Sequence, residues 1–285
     1  MHASRVLAQL GMTLAVLAAV AGAALAAGAP IPIGEGFVLY PRRVPVSVWR
    51  AHPELRPFVV RARDGTPLRG WIVTGSRPNA PWTLTFTGNA GTAQSMLGIG
   101  MWFARRTGST TVLWDYRGFG FSDGRPSIAA TRDDALRVYD AMRARSRGDL
   151  VLYGHSFGTT IATRVATARP IRALVLHAAP SSATELFSAF RDRYLPPFMR
   201  RLRPIPTATV REDFDLVREI RGVRAPTIVL HGTADATIPI AEGRAVEVAA
   251  GAAVKRFVAL PGVPHPVIDY GTPGGDALVA FLAAI

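Results

Sequence analysis

The 285-residue sequence predicts an α/β domain, with a mostly parallel central sheet, a leading antiparallel hairpin and helices on both faces. Two observations predict it. Two apolar-rich runs, 58–63 and 68–74, flank Asp64-Gly65-Thr66-Pro67, which is a hairpin signal. Short continuous apolar runs then alternate with helical stretches, as strands buried on both faces do. One connection breaks that rhythm. About 50 residues separate the run ending near Leu176 from the run starting at Thr227, and an interruption of that length in a compact domain marks a lid.

The elements follow in order. Residues 6–27 carry no charge and follow Arg5, and Ala24-Leu25-Ala26 fits a small-residue cleavage site. The apolar stretch is about 22 residues, near the ~20 that span a bilayer. Residues 1–27 are therefore expected to be a signal peptide or an N-terminal membrane anchor. The domain would then be exported, either periplasmic or extracellular or held at a membrane through residues 6–27. Residues 28–57 read as an extended segment, because Pro30 and Pro32 block helix. The main domain is expected over 58–285. After the hairpin, strands are expected at 83–87, 111–115, 150–154, 173–176, 227–231 and 256–260. Helices are expected near 92–106, 128–144, 157–168, 212–220, 239–250 and 275–284, with the lid at 181–211.

Composition narrows the function. The formal charge is +13, almost all of it arginine, since Lys255 is the only lysine. The arginines are scattered and no nucleic-acid-binding motif accompanies them, so a nucleic-acid partner is not expected. The chain has no cysteine, which excludes disulfides, thiolate metal sites, a cysteine nucleophile and a lipid anchor on sulfur.

The chemistry starts at Gly154-His155-Ser156-Phe157-Gly158. An apolar run precedes this pentapeptide and a helical stretch follows it. A strand that turns abruptly into a helix exposes a serine oxygen at the sheet's end, and flanking glycines permit the turn. Ser156 is therefore the candidate nucleophile. The base and the acid should follow it in the order acid, then histidine. Of the later histidines, His177 and His231 end apolar runs. His265 follows a late strand inside Pro261-Gly262-Val263-Pro264-His265, a loop shaped by Gly and Pro. Asp235 is the acidic residue that follows directly on a strand, in His231-Gly232-Thr233-Ala234-Asp235. Such groups gather at the carboxyl ends of parallel strands. A tetrahedral oxyanion needs two N–H donors. They are expected from Phe157 and from Asn89, in the loop Thr87-Gly88-Asn89-Ala90-Gly91. The loop from Asp115 to Gly124 reads as a structural corner with Asp115 and Arg117 paired.

These motifs, in this order, resemble the α/β-hydrolase fold. More narrowly, they resemble the α/β-hydrolase domain-containing group that includes membrane-associated protein depalmitoylases and prolyl-oligopeptidase-like or serine-aminopeptidase-like hydrolases. Phe37-Val38-Leu39-Tyr40-Pro41 adds to the resemblance, which runs from about Phe37 to the C-terminus. It implies a Ser-His-Asp esterase or thioesterase without a cofactor or metal. It carries the triad onto Ser156, Asp235 and His265 and the oxyanion hole onto Asn89 and Phe157. Thr87 departs from the pattern, since the group usually has His there. Segment 181–211 has no counterpart in the resemblance, so substrate choice is not inherited. Its Phe187, Phe190, Tyr194 and Phe198, interleaved with arginines, are candidates for binding an acyl chain of a small-molecule or acylated substrate. A peptidase and a non-catalytic scaffold are the competing readings of the same fold.

Overall fold

In the computed structural model, the structure describes residues 30–45, 47–48, 51–53, 55–146, 148–197, 200, 203–265 and 274–285. Its strands are β1 (Ile31–Ile33), β2 (Arg56–Arg61), β3 (Pro67–Val73), β4 (Thr83–Phe86), β5 (Thr111–Trp114), β6 (Val151–His155), β7 (Ala173–His177), β8 (Pro204–Pro206), β9 (Thr227–Gly232) and β10 (Lys255–Leu260). Its helices are α1 (Leu97–Arg106), α2 (Ile128–Ser146), α3 (Gly158–Ala168), α4 (Ala183–Tyr194), α5 (Ala208–Asp213), α6 (Leu216–Ile220), α7 (Ile240–Ala249) and α8 (Gly274–Ala283). Eight strands form one sheet in the order β10-β9-β7-β6-β4-β5-β3-β2. The β2–β3 and β3–β5 pairs are antiparallel, and the pairs from β5 to β10 are parallel. The predicted fold class holds.

Strand side chains alternate between two cores, as a two-residue period requires. Leu152, Leu174, Leu176 and Val229 pack on one face with Val138 and Tyr139 of α2, Ile161 of α3 and Val246 of α7. Val151, Tyr153, Val175, Ile228 and Leu230 pack on the other with Trp102 and Phe103 of α1 and Phe281 of α8. Both faces are covered, so the strands read as unbroken apolar runs.

Three expectations need correction. The helix expected near 212–220 is two short helices. Phe214 (φ −131°, ψ 49°) and Asp215 (φ −118°, ψ 83°) leave the helical conformation, Asp215 caps α6 by accepting from Arg218 N at 3.0 Å, and the Phe214 ring is buried in the core beside Phe157. The helix expected from 92 begins at Leu97, after a tight turn over Gln94–Met96 in which Thr92 and Ser95 bond each other's backbones. The extended segment 28–57 is more than a linker. Its β1 pairs in parallel with β8 in segment 181–211, Glu35 accepts from Ile128 N at the start of α2, and Tyr40 N donates to Asn89 Oδ1 at 2.9 Å. Residues 1–27, the expected signal peptide or anchor, lie outside the described residues. Among the described residues no helix is long and apolar enough to cross a membrane.

The lid expected at 181–211 contains α4, β8 and most of α5, and it leaves the domain through a neck. Ala183 N donates to Phe214 O, Val217 N donates to Ser181 O, and Ser182 bridges Asp215. Beneath the neck, the buried Glu242 of α7 accepts from Ser181 N at 3.0 Å. Burial pushes its carboxyl up to about 7, aided by Glu185 and Asp235 and opposed by the Ser181 bonds. A carboxyl raised in the folded state contributes stability that is complete below its unfolded pKa and is lost as pH rises through the folded one. Wild type should lose on the order of 3 kcal/mol from this group between pH 5 and pH 9. Glu242→Gln keeps an acceptor for Ser181 N without the charge. Melting curves of the two proteins should coincide below about pH 4.5 and separate progressively between there and about pH 7, above which the variant melts higher by a constant margin. Parallel curves across that range would contradict the assignment.

Candidate active site

β6 and α3 meet at Ser156, which adopts φ +53°, a left-handed conformation that side chains rarely take. The surrounding backbone enforces it. A Cβ at Gly154 would lie 2.7 Å from the Gly158 carbonyl oxygen, and one at Gly158 would lie 2.1 Å from the Phe86 carbonyl oxygen. Strand, helix and the end of β4 approach too closely for any side chain there. Ser156 N donates to His177 O at 2.9 Å, which fixes the turn from the neighbouring strand.

The structure brings Ser156, His265 and Asp235 together from the ends of β6, β10 and β9. His265 Nδ1 lies 2.8 Å from Asp235 Oδ2, and His265 Nε2 lies 3.1 Å from Ser156 Oγ. A carboxylate oxygen only accepts, so Nδ1 carries the proton and Nε2 is left to accept from the serine hydroxyl. The second Asp235 oxygen accepts from Thr237 N at 2.9 Å and Ile238 N at 2.8 Å. Burial pushes the Asp235 carboxyl up, but the His265 bond and charge and the two N–H groups outweigh it. The group titrates below the ordinary carboxylate range. The Asp235 side chain is 1 % exposed and that of His265 15 %, so the carboxylate is sealed while the imidazole stays partly open to solvent.

Asn89 is locked by its side chain. Oδ1 accepts from Tyr40 N and from Ala90 N, both at 2.9 Å. Among the described residues, no backbone carbonyl accepts from the N–H of Asn89 or of Phe157. Thr87, where the resemblance breaks, is buried, and a Cβ at Gly91 would fall 1.9 Å from its Oγ1. Thr87 O accepts from the buried Tyr116 hydroxyl at 2.9 Å, which holds the loop from below.

The corner loop is structural, but Asp115 and Arg117 are not paired. The Asp115 carboxylate accepts from Ala93 N at 2.7 Å and Phe121 N at 3.0 Å, and the loop wraps it so tightly that a Cβ at Gly120 would lie 2.2 Å from it. Arg117 points away and makes a bidentate pair with the buried Asp134 of α2, at 2.6 and 2.8 Å. Both carboxylates are buried; Asp115 is satisfied by backbone donors, and Asp134 takes the guanidinium.

Comparison with known proteins agrees with this fold. Residues 86–214 match the family model of the α/β hydrolase fold. An uncharacterized protein of Mycobacterium tuberculosis is 32% identical over 255 residues, which cover 86% of each chain. The chain belongs to the α/β-hydrolase superfamily. Lysophosphatidylserine lipase ABHD12 of Rattus norvegicus is 29% identical over 218 residues, 70% of this chain and 52% of that protein. This chain thus matches about half the length of that lipase. An esterase of Pyrococcus furiosus superposes with a TM-score of 0.67 at 15% identity, over 86% of this chain and 99% of that one, which is a likeness of fold.

Other expected residues of this α/β-hydrolase lie elsewhere. Phe187 packs against the core from α4. Phe190 and Tyr194 stack on each other with ring centroids 5.4 Å apart, and Tyr194 is 47% exposed. No hydrogen bond or ring contact among the described residues joins these three to Ser156 or His265. Phe198 lies outside the described residues. A groove of ≈ 580 Å³ beside β2 and β3, lined by Arg43, Phe58, Arg69 and Asp123 among others, includes none of Ser156, Asp235 and His265.

Two histidines at the site were not singled out as functional by sequence. The buried His231 lies with Nε2 2.9 Å from Ile238 O and 3.5 Å from Asp235 Oδ2, so its proton sits on Nε2 and faces the acid turn. A Cβ at Gly243 would fall 2.2 Å from its Nδ1. His155 lies between the Ser156 turn and the His265 loop. Burial lowers the pKa of both, the His155 imidazole to about 4. Their one sequence signal is position, at or next to the last residue of a parallel strand.

Proposed function

We propose that this chain is a serine hydrolase that cleaves carboxylic ester or thioester bonds through an acyl-enzyme. The observation that carries the reading is the continuous hydrogen-bonded chain from Ser156 Oγ through His265 to Asp235. In the proposed cycle Ser156 Oγ attacks the carbonyl carbon while its proton passes to His265 Nε2. Asp235 holds the imidazole tautomer and balances the imidazolium. The N–H groups of Asn89 and Phe157 receive the oxyanion. His265 then protonates the leaving oxygen or sulfur, and water, deprotonated by the same imidazole, releases the acid. The chain's own residues supply every proton transfer, and the reading requires no metal or cofactor.

A lipid ester fits the reading, because the rat relative's name makes it a lysophosphatidylserine lipase. We extend the proposal to location. Residues 1–27 would export the domain or hold it at a membrane, with the lid at 181–211 over the site. The test is a p-nitrophenyl ester series from acetyl to palmitoyl, with a lysophospholipid alongside, on the full-length chain. Hydrolysis should occur in wild type and fall to background in Ser156→Ala, with an optimum acyl length. Hydrolysis that survives Ser156→Ala would exclude the reading.

A further inference from the structure

We propose that His155 is a positioning residue that fixes the base loop against the nucleophile turn, through a hydrogen bond from its Nε2 to the backbone carbonyl of His265. The inference rests on the serine-hydrolase reading and adds to it a fourth side chain outside the triad.

His155 is the last residue of β6 and directly precedes Ser156. Its Nε2 lies 3.2 Å from His265 O. A carbonyl only accepts, so Nε2 carries the proton, and the ring spans from the nucleophile's own strand to the loop of the base 110 residues later. The two imidazoles lie 5.3 Å apart, centroid to centroid, and are tilted by 35°. On another side His155 meets the His177 ring at 5.2 Å, which backs it from β7. The oxyanion loop abuts the same ring. A Cβ at Gly88 would lie 3.1 Å from His155 Nδ1 and 3.2 Å from Ser156 Cβ. One imidazole therefore touches the turn of the nucleophile, the loop of the base and the loop of the oxyanion donors.

This arrangement addresses a specific weakness. Asp235 holds the far side of the His265 ring, but nothing in the triad holds the loop's backbone at the distance that sets Oγ to Nε2. That loop carries Pro261, Gly262 and Pro264; among the described residues its backbone is held before His265 by Ala234 N donating to Val263 O and by Gly262 N donating to Thr233 Oγ1, and Val263 packs in the core, but none of these ties reaches His265 itself. The bond to His265 O ties it at the catalytic residue itself. Orientation errors near 1 Å cost about 100-fold in rate. The charge state suits the role as well. Enclosure by the surrounding groups keeps His155 neutral at working pH, so it can donate its proton without adding positive charge beside the imidazolium that forms on His265.

The test uses three variants of the full-length chain. His155→Phe keeps a ring and removes the donor. His155→Gln can bring an amide nitrogen to the Nε2 position. His155→Asn carries the same amide but is too short to reach His265 O. Each is assayed for kcat and KM on the preferred ester and for the rate of covalent labelling of Ser156 by a fluorophosphonate, with activity expressed per labelled site. We expect kcat to fall about 100-fold in the Phe and Asn variants with KM within threefold of wild type, and the Gln variant to recover to within about tenfold. If the Phe variant fails to fold, the Gln and Asn pair decides. A Gln variant as slow as Asn, or a Phe variant within threefold of wild type, would overturn the inference. Activity that persists in Ser156→Ala would instead overturn the serine-hydrolase reading beneath it.

Discussion

Asp235→Asn should lower kcat by about 10⁴-fold while leaving the fold intact. The size follows from how the carboxylate is held. One Asp235 oxygen accepts from two backbone N–H groups, those of Thr237 and Ile238. An asparagine must keep its carbonyl oxygen there, because an amide NH2 facing two N–H donors would be unsatisfied. Its NH2 therefore points at His265 Nδ1, where the carboxylate now accepts. Nδ1 must then accept, the proton moves to Nε2, and the imidazole can no longer take a proton from Ser156. The backbone turn thus enforces the wrong tautomer. Loss of the imidazolium's counter-charge adds to the effect. The check is kcat on the preferred ester together with a melting curve, and a loss below tenfold in a folded variant would remove Asp235 from the catalytic role.

Gly158→Ala should destabilise the protein by roughly 3 kcal/mol or more and abolish activity in whatever remains folded. The added Cβ would lie 2.1 Å from Phe86 O, 2.5 Å from the Phe86 carbonyl carbon and 2.6 Å from Thr87 O. All three are backbone atoms at the end of a central strand, so no rotamer change relieves the clash. α3 would have to move off β4, and the movement would separate Phe157 N–H from the loop that carries Asn89. Gly98→Ala is the control. Nothing lies within 4 Å of its Cβ position in α1, so it should gain about 0.5–1 kcal/mol from helix propensity. Denaturant melts of both variants, with ester turnover, would measure the contrast. Equal midpoints for the two would mean that the close approach at Gly158 is not needed.

The sheet and the three candidate catalytic residues were legible in the sequence for a local reason. Strands buried on both faces must be continuous apolar runs, and the runs ending at His155, Gly232 and Leu260 announce themselves without reference to distant residues. Ser156, Asp235 and His265 then follow from their places after those runs. The hairpin and the glycines around Ser156 are local in the same sense, since a tight turn restricts which residues it admits.

Segments whose structure depends on distant partners were not legible. The extended segment at Ile31–Ile33 becomes a strand because Pro204–Pro206 offers it an edge. The break between α5 and α6 comes from Phe214 turning inward while Asp215 caps. Arg117 pairs with Asp134 of α2 and not with its near neighbour Asp115, whose carboxylate backbone donors already satisfy. The aromatics of segment 181–211 share helical spacing with many core residues, and spacing alone could not tell that Phe190 and Tyr194 stack on each other. The sequence by itself determined the class of fold and the order of nucleophile, acid and base, because chain order and burial pattern are written along the chain. Tertiary structure decided the 3.1 Å and 2.8 Å contacts that join them, and the imidazole of His155 that reaches the base loop. Those contacts form between loops more than 20 residues apart, where only the packing of the sheet sets distance.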